Sequence, residues 1–288
     1  IGGGATAVWI GHSDLIAACA GRTGLPTLNI GRELAPELFE LNRLGAWNGH
    51  IPVTAVNSAI LAVAAILYDF DSITFANERS ASAATLEYDG QQVNHQWSKG
   101  AIFERLFADW LHAHVAADLH YCSLLRPFAE LAVTRSFARL TPYFEVFSSC
   151  NRNFKLTGPK PADRWCGQCP KCHFVFLALA PFLPKPRLLS IFGRNLLDDE
   201  SLAEGFDALL EYHGHKPFEC VGEGAEARAA MYALSQRPEW SEDALVARFR
   251  ETILPQLDVA QLALEPWLEP SAEHHVPARL AAALKAIG

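Results

Sequence analysis

The sequence predicts an α/β protein in which a parallel sheet with helices on both faces is followed by a four-cysteine metal clamp and a helical C-terminal region. Three observations carry this expectation. Residues 5–30 run strand, helix, strand; Ser72 to Ala76 form a further strand that stops at Asn77; and four cysteines fall within twenty-three residues, as Cys150 and Cys166-x2-Cys169-x2-Cys172. Strands that alternate with helices imply a parallel sheet covered on both sides.

Ala5 to Ile10 is apolar enough for a buried strand, Asp14 to Cys19 reads as a helix capped by Ser13, and Pro26 to Ile30 as the next strand. Ala35 to Leu44 is helical in pattern. Pro52 opens an apolar helix that runs to Tyr68, and Thr54, Asn57 and Ser58 within it argue for a buried helix rather than a membrane span. In parallel sheets ligands gather beyond the carboxyl ends of the strands. Gly11-His12-Ser13, Gly31-Arg32-Glu33 and Asn77-Glu78-Arg79-Ser80 are therefore expected to share one rim. An amphipathic helix follows from Ala101 to Val115, another from Phe128 to Leu140, and an apolar one from His173 to Leu183. Beyond Gly193 the candidates are Asp199 to Tyr212, Ala225 to Ser235 and Ser241 to Leu257. The expected divisions are an α/β core over residues 1–120, a metal-clamp region over 121–222, and a helical region over 223–288.

At 288 residues with 50% hydrophobic side chains, the chain has ample material for a substantial core. Its net charge of -8 argues against a nucleic-acid finger, which carries a basic face. No charged-then-apolar leader opens the sequence, and its seven cysteines suit a reducing cytoplasm, with Cys19, Cys122 and Cys220 as core or pocket residues. No membrane segment and no nucleic-acid partner are expected, and the sequence is silent on oligomeric state.

Thiolates spaced two apart can wrap one tetrahedral ion, which makes Cys150, Cys166, Cys169 and Cys172 candidate ligands for Zn2+. An iron–sulfur cluster is the second reading and free or bridged thiols the third. Gly167 and Pro170 suit the short turns such a clamp needs, and His173 is read as a packing or capping residue beside it, with replacement of one thiolate ligand as the alternative. At the N-terminus Ile1-Gly2-Gly3-Gly4 looks like a turn whose backbone N–H groups can cradle phosphate, with a flexible tail as the plain alternative. Ala5 starts a strand at once, yet parallel strands need a long crossover. Residues are therefore expected to be absent between Gly4 and Ala5, together with a first strand ahead of Ile1.

The Gly-Gly-Gly turn, Asn77-Glu-Arg-Ser80, Arg126-Pro127 and the cysteine spacing resemble the PP-loop ATP pyrophosphatases, of which the 7-cyano-7-deazaguanine synthases are a zinc-bearing branch. A closer resemblance rests on Asn48 to Ser58, Asn77 to Ala81, Val93 to Gln96, Ser149 to Phe154, Arg164 to Cys172 and His215 to Gly222. Those motifs look like the UDP-N-acetylmuramoyl-L-alanyl-L-glutamate epimerases over about residues 1–222. In that family Lys-Asp-Ser follows Gly-Gly-Gly; here Ala5 follows Gly4 directly.

The resemblance implies a Rossmann-like sheet of the PP-loop type and an isomerase of peptidoglycan precursor synthesis. It would use ATP and Mg2+ to activate the terminal glutamate of a UDP-linked muramoyl dipeptide as an acyl-adenylate, releasing AMP and diphosphate. Another PP-loop ligase or amidase is the alternative enzyme, and a zinc-stabilised binding module with a degenerate nucleotide site is the alternative outside catalysis. Gly2, Gly3, Gly4, Asn77, Glu78, Arg79, Lys99 and Arg126 are the candidates for the nucleotide, with Glu78 on Mg2+; solvated surface charge is the plain alternative for the ionic ones. Arg152, Lys155 and Lys216 are candidates for the anionic substrate. His50, His95, His215, Glu219 and Cys220 have the chemistry to move the α-proton, although each type is also a common structural residue.

Overall fold

The computed structural model describes residues 4–47, 51–156, 158–213 and 216–287. Strand β1 (Ala7–Ile10) pairs in parallel with β2 (Thr27–Ile30), with Ala7 opposite Thr27 and Ile10 opposite Ile30. Between them runs α1 (Asp14–Arg22), whose first turn is capped as expected, the Ser13 hydroxyl accepting from Ile16 N at 3.4 Å. Helices α2 (Pro36–Arg43) and α3 (Val53–Leu67) lead into β3 (Ser72–Phe75). A hairpin, β4 (Leu86–Tyr88) and β5 (Gln91–Val93), and then α4 (Ala101–His114) precede β6 (His120–Ser123), which pairs in parallel with β3.

Parallel pairing is present as expected, but as two separate two-stranded pairs in place of the one sheet expected. Among the described residues no ladder joins β1 to β3; a cavity of about 480 Å³ lies between them, lined by Thr6 and Val8 on one side and Ile73 and Thr74 on the other. Helix α3 is also less enclosed than its composition suggests. It buries Ser58, Ala62, Ala64 and Ala65, with the Ser58 hydroxyl 2.8 Å from Tyr121 Oη on β6, while Val63, Ile66 and Leu67 are exposed. The small side chains of α3 thus face the core built with Ile73, Phe103, Leu111 and Tyr121, and the large ones face outward.

A second, larger core begins at α5 (Glu130–Phe137) and takes in α6 (Pro170–Leu179), α7 (Lys185–Phe192), α8 (Ala203–Leu209), α9 (Gly224–Ser235), α10 (Pro238–Ser241) and α11 (Ala244–Arg248). Helix α6 is buried on nearly every face, Phe174, Phe176, Leu177 and Leu179 included. The cysteine segment and the C-terminal helices therefore share one interior. The long helix expected from Ser241 to Leu257 starts later and changes pitch: after α11 the helical backbone continues, widening over Phe249–Ile253 and tightening over Leu254–Gln256. Pro255 supplies no backbone N–H for a regular helix to use. The tail returns to the first half of the molecule, where Ser271 N donates to Pro127 O at 2.7 Å and Arg279 pairs with Asp71 at 2.8 Å, before α12 (Ala281–Ile287).

Candidate active site and metal clamp

The four cysteines meet. Cys150 ends an extended stretch, the Gly167 turn follows Cys166, Cys169 caps α6, and Cys172 lies in the first turn of that helix with Pro170 at its start. Gly167 has φ of +64°, and a Cβ there would sit 2.9 Å from the Arg194 guanidinium, so the turn needs glycine. The sulfurs lie within 4.8 Å of one another. Individual separations are 3.4 Å for Cys169–Cys172, 3.8 Å for Cys166–Cys172 and 4.0 Å for Cys150–Cys169. One Zn2+ with Zn–S bonds of 2.3 Å in a tetrahedron requires sulfurs about 3.8 Å apart, whereas a disulfide requires about 2.05 Å. The donor set fits a single thiophilic ion, and all four are free thiols. Crowded together, they compete for protons: the hydrogen bond with Cys172, opposed by burial, draws Cys169 down to about 4, and the same bond together with burial pushes Cys172 up. His173 packs flat on Phe206 with centroids 4.9 Å apart, in agreement with its reading as a packing residue.

At the end of β3, residues 77–82 are held by two buried charged side chains. Arg126, 2% exposed, pairs with Glu104 at 3.0 Å and donates to Glu78 O at 2.7 Å, Ser82 Oγ at 3.2 Å and Lys99 O. Its donors are directed into the protein, so it acts as a tie between the strand end and the turn that carries Lys99. Glu226 is fully buried. It accepts from Ser80 Oγ at 2.7 Å, from Leu131 N at 3.3 Å and, in a capping box, from Glu223 N at 3.1 Å. Burial raises its carboxyl above the ordinary range.

These ties gather side chains from four places. Lys99 Nζ donates to Cys220 Sγ at 3.2 Å. Cys220 lies on the loop 216–223, pressed so closely on α6 and α9 that a Cβ at Gly222 would be 2.5 Å from Phe174 Cζ and 2.8 Å from Glu226 Oε2. Lys171, inside the cysteine turn, pairs with Glu130 at the start of α5 at 3.7 Å, both side chains 15% exposed. Burial, and then the Glu78 carboxylate, push Glu130 up to about 8. Lys171 is held above its usual range: burial draws it down, and the charges of Glu130, Glu78 and Cys220 more than offset that. Two carboxylates, two ammonium groups and a thiol thus share one electrostatic neighbourhood at the end of β3.

Of the residues expected from the sequence, Glu78, Lys99, Arg126 and Cys220 come together here, with Lys216 and Glu219 half-buried on the Cys220 loop. His95 stands beside that loop, its ring 4.5 Å from Phe218 and its Nδ1 2.6 Å from Thr85 Oγ1. Asn77 N donates to Ser123 Oγ at 3.2 Å, and the Arg79 guanidinium lies 5.9 Å over the Trp267 ring. Arg152 and Lys155 are exposed on and just after the turn that follows Cys150 and form no ion pair among the described residues. Gly4 lines the cavity between β1 and β3. Gly2, Gly3, His50 and His215 lie outside the described residues. Sequence reasoning missed Glu130, Lys171, Glu104 and Glu226, although Lys171 stands inside the Cys-Pro-Lys-Cys run it had singled out.

Two family models match the chain, the MurL N-terminal domain over residues 1–124 and the MurL C-terminal domain over residues 146–263. A curated protein of Xanthomonas oryzae pv. oryzae, named UDP-N-acetyl-alpha-D-muramoyl-L-alanyl-L-glutamate epimerase, is 63% identical over 275 residues, which is 96% of this chain and 61% of that protein. Proteins of the same name from Micromonospora sp. and Salinispora tropica are 42% and 43% identical over 96% of this chain and 61% and 60% of their own lengths. The chain spans about three-fifths of the length of these relatives. No solved structure matches it.

Proposed function

The chain belongs to the MurL family, and from that premise we propose that it converts the terminal L-glutamate of UDP-N-acetylmuramoyl-L-alanyl-L-glutamate to D-glutamate in cytoplasmic synthesis of a peptidoglycan precursor, with ATP activating the glutamyl carboxylate as an acyl-adenylate and AMP and diphosphate leaving. The observation that carries this reading is the meeting of Glu78, Lys99, Glu130, Lys171 and Cys220 at the end of β3. Proton removal beside a free carboxylate would place negative charge next to negative charge. An acyl-adenylate removes that charge and offers a carbonyl to accept the electron pair, so activation and proton transfer belong in one site. The ammonium groups of Lys99 and Lys171 supply the cationic field that phosphoryl and enolate oxygens require. Glu78 is the candidate ligand for Mg2+, which when bound would neutralise phosphate charge. Zn2+ in the cysteine clamp would fix the turn that bears Lys171, without redox chemistry of its own.

Incubation of the full-length, metal-loaded protein with ATP, Mg2+ and each glutamyl epimer in deuterated water tests the reading. Diphosphate release with the L-epimer, together with deuterium at Cα of the product, is the expected result. Absence of both signals rejects it, and ammonia-dependent nitrile or amide formation instead would assign the site to a deazaguanine-type ligase.

A further inference from the structure

Inverting a carbon requires a base on one face and a proton donor on the other, or one group with a reorienting intermediate. Most ionisable groups around the end of β3 are already committed. Glu104 faces Arg126, and Glu226 is filled by Ser80, Leu131 and Glu223. Cys122 is buried in β6, and burial pushes its thiol up to about 12. Two groups with a movable proton each face an ammonium, Glu130 with Lys171 at 3.7 Å and Cys220 with Lys99 at 3.2 Å, while Glu78, whose charge also acts on Glu130, is the candidate for Mg2+. They arrive on separate segments, Glu130 on the first turn of α5 and Cys220 on the loop before α9, and each retains some solvent exposure.

Resting on the epimerase reading, we propose that Glu130 and Cys220 are its two proton-transfer residues, Glu130 taking the α-proton of the activated L-glutamyl group and Cys220 returning one to the opposite face. In the first half-step the Cα–H bond breaks, its electron pair passes into the acyl carbonyl as an enolate, and the proton joins the Glu130 carboxylate. In the second, the Cys220 S–H bond breaks, its proton forms the new Cα–H bond, and the thiolate is left facing the Lys99 ammonium. Solvent then removes the proton from Glu130 and restores one to Cys220, so no co-reactant is consumed.

The two residues have distinguishable signatures in the full-length, metal-loaded protein supplied with ATP, Mg2+ and the L-glutamyl precursor in deuterated water. Glu130→Gln is expected to keep diphosphate release while losing both α-deuteration and D-product, by about 10²–10⁴-fold. Cys220→Ser is expected to keep diphosphate release and α-deuteration of recovered L-precursor while losing D-product by a similar factor. Diphosphate release reports in each case that the variant is folded, and Glu130→Asp should restore part of the exchange. Glu130→Gln epimerising within about twofold of the native protein would overturn the assignment, as would its losing diphosphate release in step with exchange. Failure of the native protein itself to release diphosphate or exchange the proton would instead reject the epimerase reading.

Discussion

At the scale of single residues the molecule commits charge to its interior. Arg126 and Glu104 are 2% exposed each, so removing one partner leaves the other buried and uncompensated. Arg126→Met is expected to cost about 3–5 kcal/mol in urea unfolding, with much of it recovered in the double variant Arg126→Met, Glu104→Gln. Gly222→Ala places a methyl group against Phe174 and the buried Glu226 carboxylate, and a loss of about 1–3 kcal/mol by the same measurement is expected. Glu130 gives a pH signature. With its carboxyl pushed up to about 8, the folded protein holds this proton more tightly than the unfolded chain, where the pKa is about 4.3. The stabilisation it contributes is therefore complete below about pH 4 and is lost as pH rises through about 8. Glu130→Gln should narrow the difference in urea midpoint between about pH 5 and pH 9.

At the scale of elements, those that local chemistry dictates were legible in the sequence. Strands β1, β2 and β3, the Ser13 cap, α4 and α9 fall within a few residues of their expected limits, because apolar periodicity and capping residues determine them. The β4–β5 hairpin was missed although its signal is in the sequence: Asp89-Gly90 adopts φ of +51° and +69°, the conformation of a tight hairpin turn. Strand β6 has no such local mark. His120-Tyr-Cys-Ser123 becomes a strand through pairing with β3, forty-eight residues away in register, and only tertiary structure supplies that partner. The site divides in the same way. Spacing announces four sulfurs around one ion, while the pairing of Lys171 with Glu130 joins two helices whose separation along the chain carries no pattern. Cys169→Ser should lower bound zinc below one equivalent per chain and reduce the thermal midpoint. Trp165, its ring tilted against Phe192 at 4.6 Å next to the clamp, provides the fluorescence readout.

At the scale of the whole molecule, two cores meet where Glu226 reaches Ser80 and the returning tail reaches Asp71. No helix among the described residues is long and apolar enough to cross a membrane. The candidate site lies at this junction, with its strand-end residues supplied by the first core and its α5, α6 and loop residues by the second. Lys171 occupies the interval between Cys169 and Cys172, so an ammonium of the candidate site and the sulfurs of the clamp belong to the same turn of chain. On the proposed function, a metal in the clamp would also hold Lys171 in place: a chelator added in amounts that leave far-ultraviolet circular dichroism unchanged is expected to silence proton exchange first, and added zinc to revive it.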